Sequence, residues 1–189
     1  MRRSLIWLSF ILAVCFLVNC FYIVAKAHLA QVLLMNTWQR VLTQDSIRLS
    51  NPWPWADFYP VAKLTFLPLG LSQVVLNKDS GQALAFGPAL TGTNTLNING
   101  VTIISAHNDS HFKVLEAIKV GDEILLEDNQ AKEQYYRVES TLIIDTRLTQ
   151  LNINDNSQGL ILVTCYPFDG IISATPFRFL VLAKPIDGL

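Results

Sequence analysis

Charge is scarce in this chain. Only 15% of its 189 residues are Asp, Glu, Lys or Arg, and 14 basic residues balance 15 acidic ones for a formal net charge of −1. No Lys/Arg run breaks that balance, which argues against a nucleic-acid-binding face. A phosphate-cradling glycine loop is also missing. GQALAFGPALTG, residues 81–92, carries three glycines, but not at the spacing of a dinucleotide fingerprint. There are no internal repeats and no low-complexity segment. Cysteine is sparse: Cys15, Cys20 and Cys165 complete the count. What is abundant is apolar: 51% of the residues are hydrophobic, high for a soluble domain. The length suits one ordinary domain plus a short extra element.

The extra element is LIWLSFILAVCFLVNCFYIVA, residues 5–25, 21 residues without a charge. At about 1.5 Å per residue it reaches roughly 30 Å, the thickness of a hydrocarbon core. A cleaved signal peptide has a shorter apolar region and small residues before the cut, so the run reads as a retained anchor. Arg2 and Arg3 precede it and only Lys26 follows closely. The positive-inside rule places the N-terminus in the cytoplasm and everything after Lys26 outside. The expected arrangement is a single pass with the remaining domain outside the cytoplasm. Cys15 and Cys20 are then apolar filler in the anchor. Cys165 is a lone thiol in a compartment where disulfides form, which leaves it buried and inert, joined to another chain, or free because it reacts.

Residues 28–60 read as a juxtamembrane helix followed by a linker. LAQVLLMNTWQRVL has apolar residues near helical spacing, and SNPWPWADFYP ends it with prolines and aromatics. Trp53 and Trp55 suit either the bilayer surface or a plug in the base of the domain. From residue 61 to 189 the pattern changes to short β-branched and aromatic runs: KLTFLPL, QVVLN, NGVTIISA, DEILLED, QYYRVESTLIIDT, GLILVTCYPF and FRFLVLAKP. Gly, Asn, Asp and Pro separate them, as in Asn99-Gly100 and Val120-Gly121-Asp122. Seven or eight short strands with little helix fit a compact barrel or sandwich, so the fold class is mainly β.

Three of these strands meet reactive residues at one end. NGVTIISA runs into His107, GLILVT into Cys165, and Arg178 opens the last strand. A thiol attacks carbonyls as the thiolate, or as its proton is taken. A histidine can take that proton and later give one to a leaving amine. A guanidinium stays charged and can stabilise an oxyanion. Together they would make a thiol acyl-transfer site, although His107 alone is compatible with a half-buried structural histidine and Arg178 alone with a solvated charge. His107 and His111 at spacing four raise a metal site. HNDSH lacks the Glu of the helical zinc-protease motif, however, and a strand-like run precedes it.

The segments LAFGP at 84–88, HNDSHF at 107–112 and TCYPFD at 164–169, in this order behind an apolar N-terminal run, resemble the sortases, and among these the proteobacterial type. The similarity covers about residues 62–185 and includes VGDEILLED. Relatives commonly carry Gly-Gly-Pro before the arginine where this chain has SATP, at 173–176. The resemblance implies a closed eight-stranded β-barrel behind a transmembrane helix, with the helix in the inner (cytoplasmic) membrane and the barrel in the periplasm. It implies Cys165 as nucleophile, His107 as acid/base and Arg178 as oxyanion or substrate-backbone clamp, with Asp109, Thr164 and His111 in supporting or substrate-binding places. The implied partners are a secreted protein with a C-terminal sorting motif and an amine acceptor of the cell envelope, with no metal or organic cofactor. The L,D-transpeptidases also use an outside cysteine, but their Ser-His-Gly-Cys pattern is absent. A catalytically inactive barrel that binds envelope peptides is the alternative.

Overall fold

The computed structural model describes residues 2–43, 50–92, 96, 100–148, 158–169 and 175–186. The calls on Asn99, on the linker at 44–49 and on residues 173 and 174 of the SATP loop lie outside them.

Helix α1 runs unbroken over Arg2–Thr43, 42 residues or about 63 Å. It passes straight through residues 27 and 28, where the sequence suggests a change of element. Its N-terminal half is apolar on all sides and exposed, with Phe10, Phe16, Phe21 and Ile23 among the uncovered side chains. One apolar stretch within Ser9–Thr43 is long enough to cross a membrane. Its C-terminal half has an inward stripe at helical spacing, Ala30, Leu34, Trp38 and Val41, all buried.

Eight strands follow: β1 Pro60–Phe66, β2 Leu71–Leu76, β3 Ala89–Leu90, β4 Val101–Ser105, β5 Glu123–Asp128, β6 Glu133–Asp145, β7 Gly159–Cys165 and β8 Phe177–Ile186. A short helix α2, Gly81–Leu84, precedes β3, and the Ser80 side chain caps it by accepting from the Ala83 N–H. The strands close a barrel in the order β1-β2-β3-β4-β7-β8-β6-β5. Closure leaves no free sheet edge. Most neighbours are antiparallel, but β4 and β7 run parallel, as do β2 and β3.

Strand alternation fills the barrel. Leu64, Phe66, Val75, Ile104, Ile124, Leu126, Tyr136, Leu162 and Val181 form the interior with Phe112 and Leu115 from the 3₁₀ turn His111–Glu116. A second apolar cluster lies outside the barrel wall, where Leu34 and Trp38 of α1 meet Phe58, Val74, Leu76, Ala83 and Ala89. Trp53 belongs to this cluster, edge-on to Phe58 and Phe86 at centroid distances of 5.5 and 5.0 Å, whereas Trp55 is 76% exposed. Trp53 thus plugs the base of the domain, one of the two places the sequence offers, and Trp55 does not. Gly87 has a steric reason: a Cβ there would lie 3.0 Å from the Val74 carbonyl, because the chain at 86–88 presses onto β2. The Leu76 N–H accordingly donates to the Pro88 carbonyl at 2.8 Å.

Candidate active site

The strand order places the three reactive residues side by side. β7 lies between β4 and β8, and Cys165 pairs directly with Arg178 across the β7–β8 ladder. On the other flank the parallel register pairs Ser105 with Val163. Two residues further along, the same register sets His107 beside Cys165. The pairing extends past Ser105, since the Ala106 N–H donates to the Val163 carbonyl at 3.3 Å.

Alternation then decides where the side chains point. Leu160, Leu162 and Thr164 of β7 are buried, as are Ile104 and Ala106 at β4, and Val181 and Ala183 of β8. Residues of opposite parity face outward, and these include Cys165, His107 and Arg178. His107 is exposed, and Cys165 and Arg178 are half-buried. A thiol, an imidazole and a guanidinium therefore share one outer face at one mouth of the barrel.

The surrounding contacts fix this mouth from both sides of β7. Inward-facing Thr164 is buried, and its Oγ1 donates to the Ala106 carbonyl at 2.7 Å, tying the residue before Cys165 to the residue before His107. Asn108 Nδ2 donates to the Pro167 carbonyl at 2.9 Å. Lys113 Nζ pairs with Asp169 Oδ1 at 2.8 Å and lies 5.9 Å from the centroid of Phe168. The Asp169 partnership and a second one with Glu116 raise the Lys113 pKa. The two motif segments are thus stitched together three times. The guanidinium of Arg178 is itself held, since Nη1 donates to the Thr175 and Phe177 carbonyls at 2.7 and 2.8 Å, and Thr175 Oγ1 donates to the Tyr166 carbonyl.

The remaining sequence-derived residues separate. Thr164 is a packing and hydrogen-bonding neighbour of the thiol. Asp109 is exposed, and its charge acts on His111. His111 sits one tight turn from His107, closed by the Phe112 N–H donating to the His107 carbonyl at 2.9 Å. Burial pushes its pKa down, the His107 charge adds to that, and the Ala85 and Asp109 interactions oppose it. Asn108, Lys113 and Gln73, whose Nε2 donates to the His111 carbonyl at 2.6 Å, were not singled out by the sequence. Their partners lie 38 to 59 residues away, and no local pattern announces such pairs.

An outward thiol flanked on adjacent strands by an imidazole and a guanidinium is the arrangement that cysteine acyl transfer requires. The family profile for the Sortase domain matches residues 68–186, well over half the chain, and the chain belongs to the sortase family of cysteine transpeptidases. It is 26% identical over 88 residues to Sortase D of Bacillus subtilis (strain 168), a match spanning 47% of this chain and 44% of that protein. The matched stretch is therefore less than half the length of that relative. Solved structures share the fold. Sortase C1 from Streptococcus suis superposes with a TM-score of 0.59 at 18% identity, over 69% of this chain and 74% of that one. A lid mutant of sortase A from Corynebacterium diphtheriae gives 0.58 at 18% identity, over 86% and 95%.

Proposed function

We propose that this chain is a membrane-anchored transpeptidase that cleaves a sorting motif near the C-terminus of secreted proteins and joins the acyl fragment to an envelope amine. The observation that carries the reading is the gathering of His107, Cys165 and Arg178 at the adjoining ends of three neighbouring strands, His107 two residues past the end of β4. Cys165 attacks the scissile carbonyl, and the oxyanion develops beside Arg178. His107 protonates the departing amine, leaving a thioacyl enzyme. An incoming amine then takes the acyl group, which gives ping-pong kinetics.

The lone thiol fits this chemistry, since a partner cysteine in an oxidising compartment would lock up the nucleophile. Anchoring by residues 5–25 in the cytoplasmic membrane, with the barrel in the periplasm, confines enzyme and tethered substrate to one plane. That raises their effective concentration without new contacts. Intact-mass spectrometry of the enzyme mixed with peptidyl substrates tests the reading. The expected result is a hydroxylamine-sensitive adduct on Cys165 that needs His107. A thiol that labels only after denaturation would instead identify an inactive peptide-binding barrel.

A further inference from the structure

Large apolar side chains stand uncovered at one end of the barrel. The β1–β2 turn, Leu67-Pro68-Leu69-Gly70-Leu71, presents three leucines that are 39%, 45% and 41% exposed. Val120, 64% exposed, lies at the same end, because it precedes β5 and Ile124 of that strand pairs with Phe66. Residues 64–77 carry no charge. The hydroxyls of Thr65 and Ser72 hydrogen-bond at 2.9 Å across the neck of the turn, and Gly70 closes it at a φ of 61°. At the opposite end the β5–β6 turn reads DNQAKE, residues 128–133, polar or charged apart from Ala131.

Strand directions identify the apolar end. β2 and β3 run parallel, β4 opposes β3, β7 follows β4, and β8 opposes β7. The β1–β2 turn therefore shares its end of the barrel with the last residues of β4 and β7 and the first of β8, where His107, Cys165 and Arg178 gather.

Helix α1 gives that end a bearing. Gln31 and Met35 line a cleft of about 250 Å³ together with Ser72, Gln73 and His111, close to the mouth end. Further along the helix, Trp38 and Leu42 pack with Ala56 and Phe58, just before β1 begins at the far end. The helix thus climbs the barrel from the mouth end to the far end, and its uncovered apolar half extends beyond the mouth.

We propose that the β1–β2 turn and Val120 dip into the interface of the bilayer that α1 crosses, so that the barrel sits mouth-first on lipid. The proposal rests on the anchored reading above and names the surface that the barrel itself contacts. The levels agree. Gln31 and Gln73 line one cleft, and from Gln31 back to Ala25, the end of the uncharged run, is about 9 Å of helix. From Gln73 back to Leu71 is about 7 Å of strand, and the 3₁₀ turn at Leu67–Leu69 lies beyond. The leucines therefore come level with the end of the apolar run. A patch that is apolar, uncharged and continuous in level with a membrane span fits lipid better than it fits a polar partner. The thiol then works close to the lipid surface and suits a cleavage segment only a few residues from its own membrane tether.

The test uses the full chain in phosphatidylcholine vesicles, with Cys15→Ala, Cys20→Ala and Cys165→Ala, and single spin labels at Leu69→Cys, Val120→Cys or Gln130→Cys. At 69 and 120 the ratio of collisions with oxygen to collisions with a water-soluble nickel chelate should exceed that at 130 by about fivefold or more. Water access at 69 equal to that at 130 would overturn the proposal. With the cysteines restored, Leu69→Glu combined with Leu71→Glu should lower transfer from a peptide tethered to the same vesicles by about fivefold, while turnover of the free peptide changes less than about twofold. Equal losses with both peptides, or none with the tethered one, would also overturn it. A wild-type chain that alkaline carbonate strips from the vesicles would instead overturn the anchoring itself.

Discussion

The mouth of the barrel and the flank covered by α1 are built from different interactions. At the mouth, the outward positions at the ends of β4 and β7 and the start of β8 carry exposed or half-buried polar side chains, held by hydrogen bonds between distant segments. Along the flank, Leu34 and Trp38 are buried against Phe58, Val74 and Leu76, with Trp53 and Phe86 sealing the edge. One region derives its order from directed contacts that leave a thiol accessible. The other derives its order from removing apolar area from water, at about 25 cal/mol per Å². Chemistry and stability should therefore separate under mutation.

The sharpest separation is expected for Cys165→Ala, which should lower transpeptidation at least about 10³-fold while leaving the melting midpoint unchanged. Residual wild-type turnover would remove Cys165 as nucleophile. Trp38→Ala should do the opposite, costing about 3–5 kcal/mol in denaturant titration while the surviving folded enzyme keeps its thiol reactivity. Because Trp38 Nε1 is buried without a partner, Trp38→Phe should cost far less than truncation. A large loss in the phenylalanine variant would show that the N–H has a function.

Arg178→Lys comes next, with a drop of about 10²-fold in kcat and no change in stability, since a point charge cannot reproduce the guanidinium fork. Near-normal turnover would demote Arg178 to a bystander. Thr164→Val should blur the separation. Removing the donor to the Ala106 carbonyl should cost about 1–3 kcal/mol and slow turnover as well, because the same bond sets the strand that delivers His107. Loss of stability alone would mean that the β4–β7 register holds without it.

The smallest effect is in pH dependence. His111 is held below its ordinary value of 6.5 by burial, so as acid is added the unfolded chain takes up this proton before the folded chain does. Stability should decline as pH falls below about 6.5, down to the folded pKa. His111→Gln should flatten that acid limb in denaturation midpoints, and an unaltered slope would place the ring in water.

Much of this architecture is legible in the residue pattern, and the exceptions are physical. Long alternating runs such as QYYRVESTLIIDT announce β6, because one face must be apolar to close a core. β3 does not announce itself. It is Ala89–Leu90, two residues whose ladder exists only because Leu76 and Ser105 lie alongside. KLTFLPL reads as one strand, but β1 stops at Phe66, where Leu67–Leu69 turns into a 3₁₀ helix at a proline. The reactive trio is named by the motif resemblance, yet its convergence depends on the parallel β4–β7 pairing, a long-range register that no local pattern encodes. The continuity of α1 was hidden by a change from uniform to one-sided hydrophobicity. That change marks a change of surroundings, from an uncovered helix to one packed on the barrel, rather than a break in the backbone.

That unbroken helix has the build of a mast. Were residues 5–25 to span a bilayer, its first buried side chain, Ala30, would lie five residues on and about 8 Å along the axis. The barrel mouth would then stand at a set height and bearing over the lipid surface. A substrate tethered to the same membrane would need a matching reach, and a flexible insertion after Lys26 should relax that length requirement.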